Sequence, residues 1–196
     1  MKTEKEKSFA GEWYDPNGDT ELIAERETAM DLCHKINLLP MNSDERKSLL
    51  AKLFPNKAKN TIIMNPIWAD YGLYSTIGEG SFINRNAYLM DGGKITIGKY
   101  CFIGPNCGMY TANHAFDPIE RRTGLEVALP IVIEDDVWIG GDVTIAPGVT
   151  IGKGSIIGAK SLVNKDIPAN VIAVGHPCRV LREITEADRV SPTHYL

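Results

Sequence analysis

The stretch Ile133-Glu-Asp-Asp-Val-Trp-Ile139-Gly-Gly-Asp-Val-Thr-Ile145-Ala-Pro-Gly-Val-Thr-Ile151-Gly-Lys-Gly-Ser-Ile-Ile157-Gly-Ala-Lys-Ser-Leu-Val163 decides the fold. An aliphatic residue returns at every sixth position, at Ile133, Ile139, Ile145, Ile151, Ile157 and Val163. Gly or Ala follows four of them, in Ile139-Gly140, Ile145-Ala146, Ile151-Gly152 and Ile157-Gly158. Upstream the same rhythm runs through Ile77, Ile83 and Leu89, slips by two residues, and resumes at Ile97, Ile103 and Met109. A short fixed period marks a solenoid, and a period of six predicts a parallel β-helix. Six is even, so residues six apart point to the same side of an extended chain. A turn within each hexad begins the next flat face. Three faces make a coil of 18 residues, which predicts Ile133 stacked on Ile151, Ile139 on Ile157 and Ile145 on Val163. The small residues after the aliphatic ones are expected at tight corners, where Gly can take positive φ. An antiparallel β domain would instead need paired hairpin signals and irregular spacing.

Outward from this repeat the chain changes character. Residues 1–57 form an N-terminal helical segment by pattern. Asp19 or Thr20 caps a helix expected to run to about Asn37, with Leu22, Ala29, Leu32, Cys33 and Ile36 near helical spacing. Ser43 caps a second, expected to reach about Phe54 with Leu49, Leu50 and Leu53. Two short helices do not fold alone, so they are expected to pack on the prism or on a neighbouring subunit. The β-helix is assigned to residues 58–182, and residues 183–196 to the tail, with a short closing helix over 181–189 and fraying at the end. One interruption stands out. From Tyr110 to Pro130 the hexad rhythm stops, and this stretch holds His114, one of four histidines. Long loops inside regular scaffolds are usually functional, and the mix of apolar and polar residues here predicts an ordered, projecting loop.

Composition narrows the function. Net charge is −4 and charged residues make up 23%, so no global basic excess points to nucleic acid. A local basic patch for an anionic cofactor stays open. The charged start, Met1-Lys-Thr-Glu-Lys-Glu-Lys7, has no apolar stretch behind it, so neither a secretion signal nor a membrane span is expected. Cys33, Cys101, Cys107 and Cys178 form no CxxC pair and read as free buried thiols of a cytoplasmic protein, with no metal site. No phosphate-binding glycine loop exists, because no Gly-Lys-Ser/Thr follows the Ile-Gly pairs. His34 and His194 read as surface residues, and His176 before Pro177 as structural or near a cofactor.

Several segments, in order, resemble the maltose/galactoside O-acetyltransferase family of left-handed β-helix enzymes. They are Thr3-Glu-Lys-Glu-Lys7, Ala10-Gly-Glu-Trp-Tyr14, Asp70-Tyr71-Gly72, the hexads, Thr111-Ala-Asn-His114, Gly124-Leu-Glu126 leading to Pro130, Val137-Trp-Ile-Gly-Gly141, Asn164-Lys-Asp-Ile-Pro168 and Gly175-His-Pro-Cys-Arg179. The left-handed coil is what the resemblance implies; the general rule for β crossovers favours the right hand. Hexads alone would not carry function, since unrelated activities share them.

The resemblance implies acetyl transfer from acetyl-CoA to a sugar hydroxyl in a homotrimer with sites between prisms. A hydroxyl is a poor nucleophile near neutral pH, and the imidazole of His114 suits the role of general base. Asn84 matches an asparagine of the acceptor site that holds the hydroxyl or the oxyanion side, although Asn also favours β-helix corners for backbone reasons. Glu126 falls where relatives carry a carboxylate near the histidine, able to orient it. Asp70, with Tyr71 beside it, matches an acceptor-binding carboxylate of maltose-type members, and Asp91 is a further candidate. Galactoside-type members carry a second acidic residue next to it where this chain has Gly92, which argues for a maltose or glucose type of acceptor. Trp138 is expected near the acetyl group. Gly141 offers a backbone N–H to the oxyanion. The pantetheine arm runs beside Ala159, and Lys165, Arg179 and Arg182 match the phosphate-contact region. Two other readings compete. A zinc enzyme of the carbonic-anhydrase-like β-helix group needs about three histidines, and the prism region has His114 and His176. A non-catalytic scaffold has no need of His114, Trp138 and the basic residues together. Sugar-nucleotide and serine acyltransferases share the fold, but the N-terminal segment favours the maltose/galactoside group.

Overall fold

The computed structural model describes residues 2–190. His194 and the end of the expected tail lie outside them. The hexads wind into a left-handed β-helix with three parallel sheets as faces. The first face carries the strands Ile62–Ile63, Phe82–Ile83, Phe102–Ile103, Trp138–Ile139 and Ile156–Ile157, extended by Val171–Gly175 and Cys178–Glu183. The second stacks Ser75–Ile77, Ile95–Ile97, Ile131–Ile133 and Thr150–Ile151. The third stacks Ile67–Ala69, Ala87–Met90, Gly108–Tyr110, Thr144–Ile145 and Leu162–Val163. Ile133 pairs with Ile151, Ile139 with Ile157 and Ile145 with Val163, the stacking that the spacing of 18 predicts. All twelve periodic aliphatic residues from Ile77 to Val163 point inward, none more than 1% exposed. Burying such a side chain contributes roughly 1.5–3 kcal/mol relative to leaving it in water, so the repeat is also the main source of stability.

The small residues after the aliphatic ones have a different cause from the one expected. They do not take positive φ. A Cβ on Gly78 would come within 2.5 Å of the Gly98 backbone, one on Gly104 within 2.5 Å of the Gly140 backbone, and one on Gly140 within 2.7 Å of the Ala159 backbone. Successive coils stack too closely there for a side chain. The left-handed conformation falls two residues later, at Tyr100 (φ 55°), Asn106 (φ 59°), Asp136 (φ 61°), Asp142 (φ 58°) and Lys160 (φ 60°). Asparagine and aspartate tolerate that conformation best among residues with side chains. They also tie the coils together, since Asn86 donates to Asn106 at 3.0 Å and Asn106 to Asp142 at 3.0 Å.

A β-helix must protect its two ends, where strands have no further neighbour. Two helices, α2 (Thr20–Leu38) and α3 (Asp44–Leu53), cover the first coil, and α1 (Glu4–Phe9) lies against the strand Glu126–Ala128 and bonds to Gly92 through Ser8. Asp19 caps α2 through the N–H groups of Glu21 and Leu22, and Ser43 caps α3 through that of Arg46. Ala29, Cys33 and Ile36 of α2 and Leu50 and Leu53 of α3 join the core of the prism. The Asn37 side chain exchanges two hydrogen bonds of 2.9 Å with the Ile67 backbone, standing in for a missing strand. The sequence reading lacks α1, a single turn and a half closed by a Thr3–Glu6 capping box. At the other end the helix expected over 181–189 is replaced by an antiparallel strand. Cys178–Glu183 folds back on Val171–Gly175, which satisfies the last edge, and only Glu186–Asp188 makes one 3-10 turn. All four cysteines are buried and unpaired. No helix among the described residues is long and apolar enough to cross a membrane.

The close coil contact is open to test. Gly104→Ala should lower the unfolding midpoint, with a cost of about 1–3 kcal/mol from overpacking. Lys160→Gly, which relieves left-handed strain, should leave the midpoint equal or higher. Equal loss in both variants, measured by denaturant titration, would contradict this division of roles.

Candidate active site

The corner between the third and second faces is irregular. In the first two coils it is widened, by 70–74 and by 91–94, which is why Ile77 pairs with Ile97 and Leu89 with Met109 at a spacing of 20. In the next coil the same corner opens into the loop 110–130. The loop carries secondary structure of its own. Strand Ala112–His114 pairs antiparallel with Glu126–Ala128, and a short helix, α4 (Pro118–Arg121), joins them behind an Asp117 cap. His114 stands directly opposite Glu126 in this ladder. Tyr14 adds a bridge from the N-terminal segment, exchanging backbone bonds of 2.9 and 3.0 Å with Glu126.

These pairings place three side chains in series. His114 Nδ1 lies 3.2 Å from the Leu125 carbonyl oxygen. A carbonyl only accepts, so Nδ1 carries the hydrogen and Nε2 of the neutral ring keeps its lone pair. Nε2 lies 3.6 Å from Glu126 Oε1. The Tyr14 hydroxyl donates to Glu126 Oε2 at 2.9 Å. Tyr14 is buried, and burial followed by the Glu126 charge pushes its hydroxyl far above the usual tyrosine range, so it stays a donor. His114 is half-exposed, with its ring open to an incoming molecule. The arrangement sets a half-exposed imidazole beside a carboxylate anchored by a tyrosine hydroxyl.

The expected acceptor residues sit at the same corner, in two different states. Asp70 is partly buried and accepts a hydrogen bond from the Tyr88 hydroxyl, and burial raises its pKa above the ordinary carboxylate value. Tyr71 packs on Tyr74 with ring centroids 5.0 Å apart, and burial pushes its hydroxyl to about 12. Asp91 is fully buried. Its Oδ1 accepts from the backbone N–H groups of Tyr71 (2.8 Å) and Gly72 (3.1 Å), and its Oδ2 from the Ser75 hydroxyl (2.9 Å). Asp91 therefore shapes the 70–75 turn and presents no face to a ligand, a correction to its expected contact with an acceptor. Tyr14 and Tyr88 are the partners that sequence reasoning missed.

The remaining expected residues lie elsewhere in the chain. Asn84 lines a groove of about 280 Å³ with Trp138, Phe82 and Phe102 on the first face. Its Oδ1 accepts from the Arg85 N–H at 2.8 Å. Gly141 and Ala159 follow on the corner between the first and third faces. Neither N–H has a protein acceptor among the described residues, which leaves donors free one coil apart. One whole face thus separates these residues from His114 within one chain. Lys165 and Arg179 are exposed, and Arg179 donates to the Cys178 carbonyl at 2.6 Å. Arg182 has a partner of its own. Its guanidinium binds both Asp188 oxygens, at 2.7 and 2.8 Å, so its charge is already partnered. No cluster of three or more metal-binding side chains occurs among the described residues.

Comparison with known proteins matches this architecture. Residues 7–57 match the maltose acetyltransferase hexapeptide capping motif, 94–111 a hexapeptide repeat of succinyl-transferase, and 130–165 the bacterial transferase hexapeptide of six repeats. A protein of Staphylococcus haemolyticus named as an acetyltransferase is 49% identical over 187 residues, covering 95% of this chain and 97% of its own. The chain belongs to the hexapeptide-repeat acetyltransferase family. A maltose O-acetyltransferase from Clostridium difficile superposes with a TM-score of 0.90 at 42% identity, over 94% of this chain and 99% of that one. A hexapeptide-repeat acetyltransferase of Vibrio cholerae, solved with acetyl coenzyme A, gives 0.86 at 39% identity, over 94% and 100%. A galactoside acetyltransferase solved with coenzyme A gives 0.90 at 33% identity, over 98% and 96%. The protein is accordingly an acetyltransferase.

Tyr14 is expected to matter for this acetyltransferase through Glu126. Tyr14→Phe should lower kcat about tenfold, the scale of one hydrogen bond to a charged group, with a native circular dichroism spectrum. An unchanged kcat would remove Tyr14 from the support of the site.

Proposed function

We propose that this acetyltransferase moves the acetyl group of acetyl-CoA to a sugar hydroxyl, with His114 as general base. The observation that carries the reading is the 3.2 Å approach of His114 Nδ1 to the Leu125 carbonyl oxygen, with Nε2 facing Glu126. With Nδ1 held by the Leu125 carbonyl, Nε2 is the atom that takes the hydroxyl proton as the oxygen attacks. Acetyl-CoA supplies the thioester carbon. A C–O bond forms there, the C–S bond breaks, and the departing sulfur receives the proton back from Nε2. Glu126, anchored by Tyr14, stabilises the imidazolium between these steps. The free N–H of Gly141 suits the oxyanion, a type of contact typically worth about 3 kcal/mol.

A complete site requires two copies of the chain in this reading. Asn84, Trp138, Gly141 and Ala159 belong to one corner and face, and His114 and Glu126 to another. The first face supplies a surface for association. Ile62, Phe82, Phe102, Trp138, Ile156 and Ile172 form one outward column in continuous register. Ile62, Phe102 and Trp138 are each more than half exposed in the single chain, an apolar stripe that calls for a partner surface. A cyclic homotrimer would set each His114 loop against a neighbour's Asn84 and Trp138.

For the acceptor we favour a maltose or glucose type over a galactoside. The position beside Asp91 is Gly92, and a Cβ there would lie 3.0 Å from the Tyr14 hydroxyl. The Tyr14 hydroxyl stands where a side chain at this position would begin. Lys165 and Arg179, with no carboxylate bound to them among the described residues, suit the phosphates of the cosubstrate. Four unpaired thiols fit a reducing cytoplasm.

A thiol-release assay with acetyl-CoA against maltose, glucose and a galactoside tests the reading. His114→Ala should lower turnover by about 10²–10⁴ while the Kd for coenzyme A stays near normal. Near-normal turnover would end the base assignment, and release with no sugar at all would move the acceptor outside sugars. Mixed assemblies of His114→Ala and Asn84→Ala chains should regain part of the activity that either variant lacks alone. No regain would place the site within one chain. Lys165→Ala with Arg179→Ala should weaken coenzyme A binding at least tenfold, more than Arg182→Ala, whose partner Asp188 already holds the charge. An unchanged Kd in the double variant would remove both residues from the phosphate contacts.

A further inference from the structure

We propose a second anion site, for a small molecule bearing a phosphate group, between α3 and the first coil. A cavity of about 420 Å³ lies there, in the size range of small-molecule sites. Arg46, Lys47, Lys57 and Lys59 line it with Asn42 and Thr61, and no aspartate or glutamate does. This concentration of positive charge runs against a chain whose net charge is −4.

Arg46 is the core of the argument. It is 4% exposed, yet every recorded partner is neutral. Its Nε and Nη2 donate to Asn65 Oδ1 at 2.9 and 2.7 Å, and Nη2 also donates to the Ile63 carbonyl at 2.6 Å. A buried cation without a counter-charge is costly, and burial here pushes the guanidinium pKa down. Lys47 is tied to Asp44 at 2.8 Å, but no ion pair involves Arg46, Lys57 or Lys59 among the described residues. A phosphate group offers what this lining lacks: two negative charges and several acceptors in tetrahedral arrangement, for two ammonium groups and for Arg46 Nη1, the guanidinium nitrogen with no recorded partner among the described residues. The cavity is larger than one phosphate ion needs, and Asn42 and Thr61 add neutral partners for an attached organic part. It lies at the first coil, whereas Lys165 and Arg179 belong to the last, so it is separate from the proposed cosubstrate contacts. Its occupant would bridge α3 to the segment 57–61 and hold the N-terminal helices on the prism.

Isothermal titration of the full chain with glycerol 3-phosphate and with inorganic phosphate, against sodium chloride at matched ionic strength, tests the site. Saturable binding is expected, at least tenfold weaker in Lys57→Ala/Lys59→Ala, with melting midpoint and acetyl transfer unchanged. Lys165→Ala/Arg179→Ala should bind as the natural chain does. Tighter binding of glycerol 3-phosphate than of phosphate supports an organic phosphate; equal affinity places recognition in the phosphate group alone. No saturable binding, or a loss that follows Lys165 and Arg179 instead of Lys57 and Lys59, would overturn the proposal.

Discussion

The structure depends on how closely one coil can lie on the next. Parallel ladder bonding sets neighbouring strands about 4.8 Å apart, and that spacing must survive each corner. At the residue after the inward aliphatic one, the backbone of the next coil comes too near for a side chain, and Gly78, Gly98, Gly104, Gly140 and Gly152 answer that need. The turn itself is completed two residues later, by a left-handed residue that is often Asn or Asp. Where a hexad carries Gly or Ala after the inward residue, as at Gly78, Gly98, Gly104, Gly140 and Gly152, both demands fall within six residues. Together with the inward aliphatic residue they define the repeat.

The same constraint explains where chemistry can be placed. Two of the three corners are held by their stacking and leave little freedom. The corner between the third and second faces escapes it, first through two extra residues and then through the loop 110–130. Asp70, Tyr71, His114 and Glu126 all belong to that corner. Rigid coils above and below fix the ends of the loop, and the antiparallel pair Ala112–His114 with Glu126–Ala128 fixes its base. Functional side chains on such a loop inherit the precision of the scaffold.

This division also governs what the sequence reveals. The coils were legible because their cause is local and repeats: an inward aliphatic residue, a small residue, a turn. The caps of α2 and α3 were legible for the same reason, since Asp19 and Ser43 act within three residues of themselves. The slip between Leu89 and Ile97 marked the irregular corner, but only the pairing shows that it lies below the His114 loop. His114 and Glu126 stood out through resemblance and position. Tyr14 did not, because it acts on Glu126 across 112 positions and nothing near it in the chain signals the contact. The ending misled for a similar reason. Leu181–Arg189 reads as a short helix in isolation, but the open edge at Val171–Gly175 offers backbone partners that a helix would leave unsatisfied.

Four carboxylates show why residue type alone could not assign the site. Asp91, buried with all its recorded bonds directed to one turn, is a structural brace. Asp188 is held well below the usual carboxylate range by Arg182, whose guanidinium meets both its oxygens. Asp70 is raised by burial and keeps only the Tyr88 hydroxyl as a recorded side-chain donor, which leaves acceptor capacity for a ligand. Glu126 has one oxygen held by Tyr14 and the other facing the His114 ring, so it is fixed on one side and electrostatically available on the other. The four share the same acidic group and differ in what has already claimed their lone pairs. A carboxylate whose acceptors are spent on the backbone builds the fold, and one with an oxygen left over beside an imidazole keeps acceptor capacity of its own.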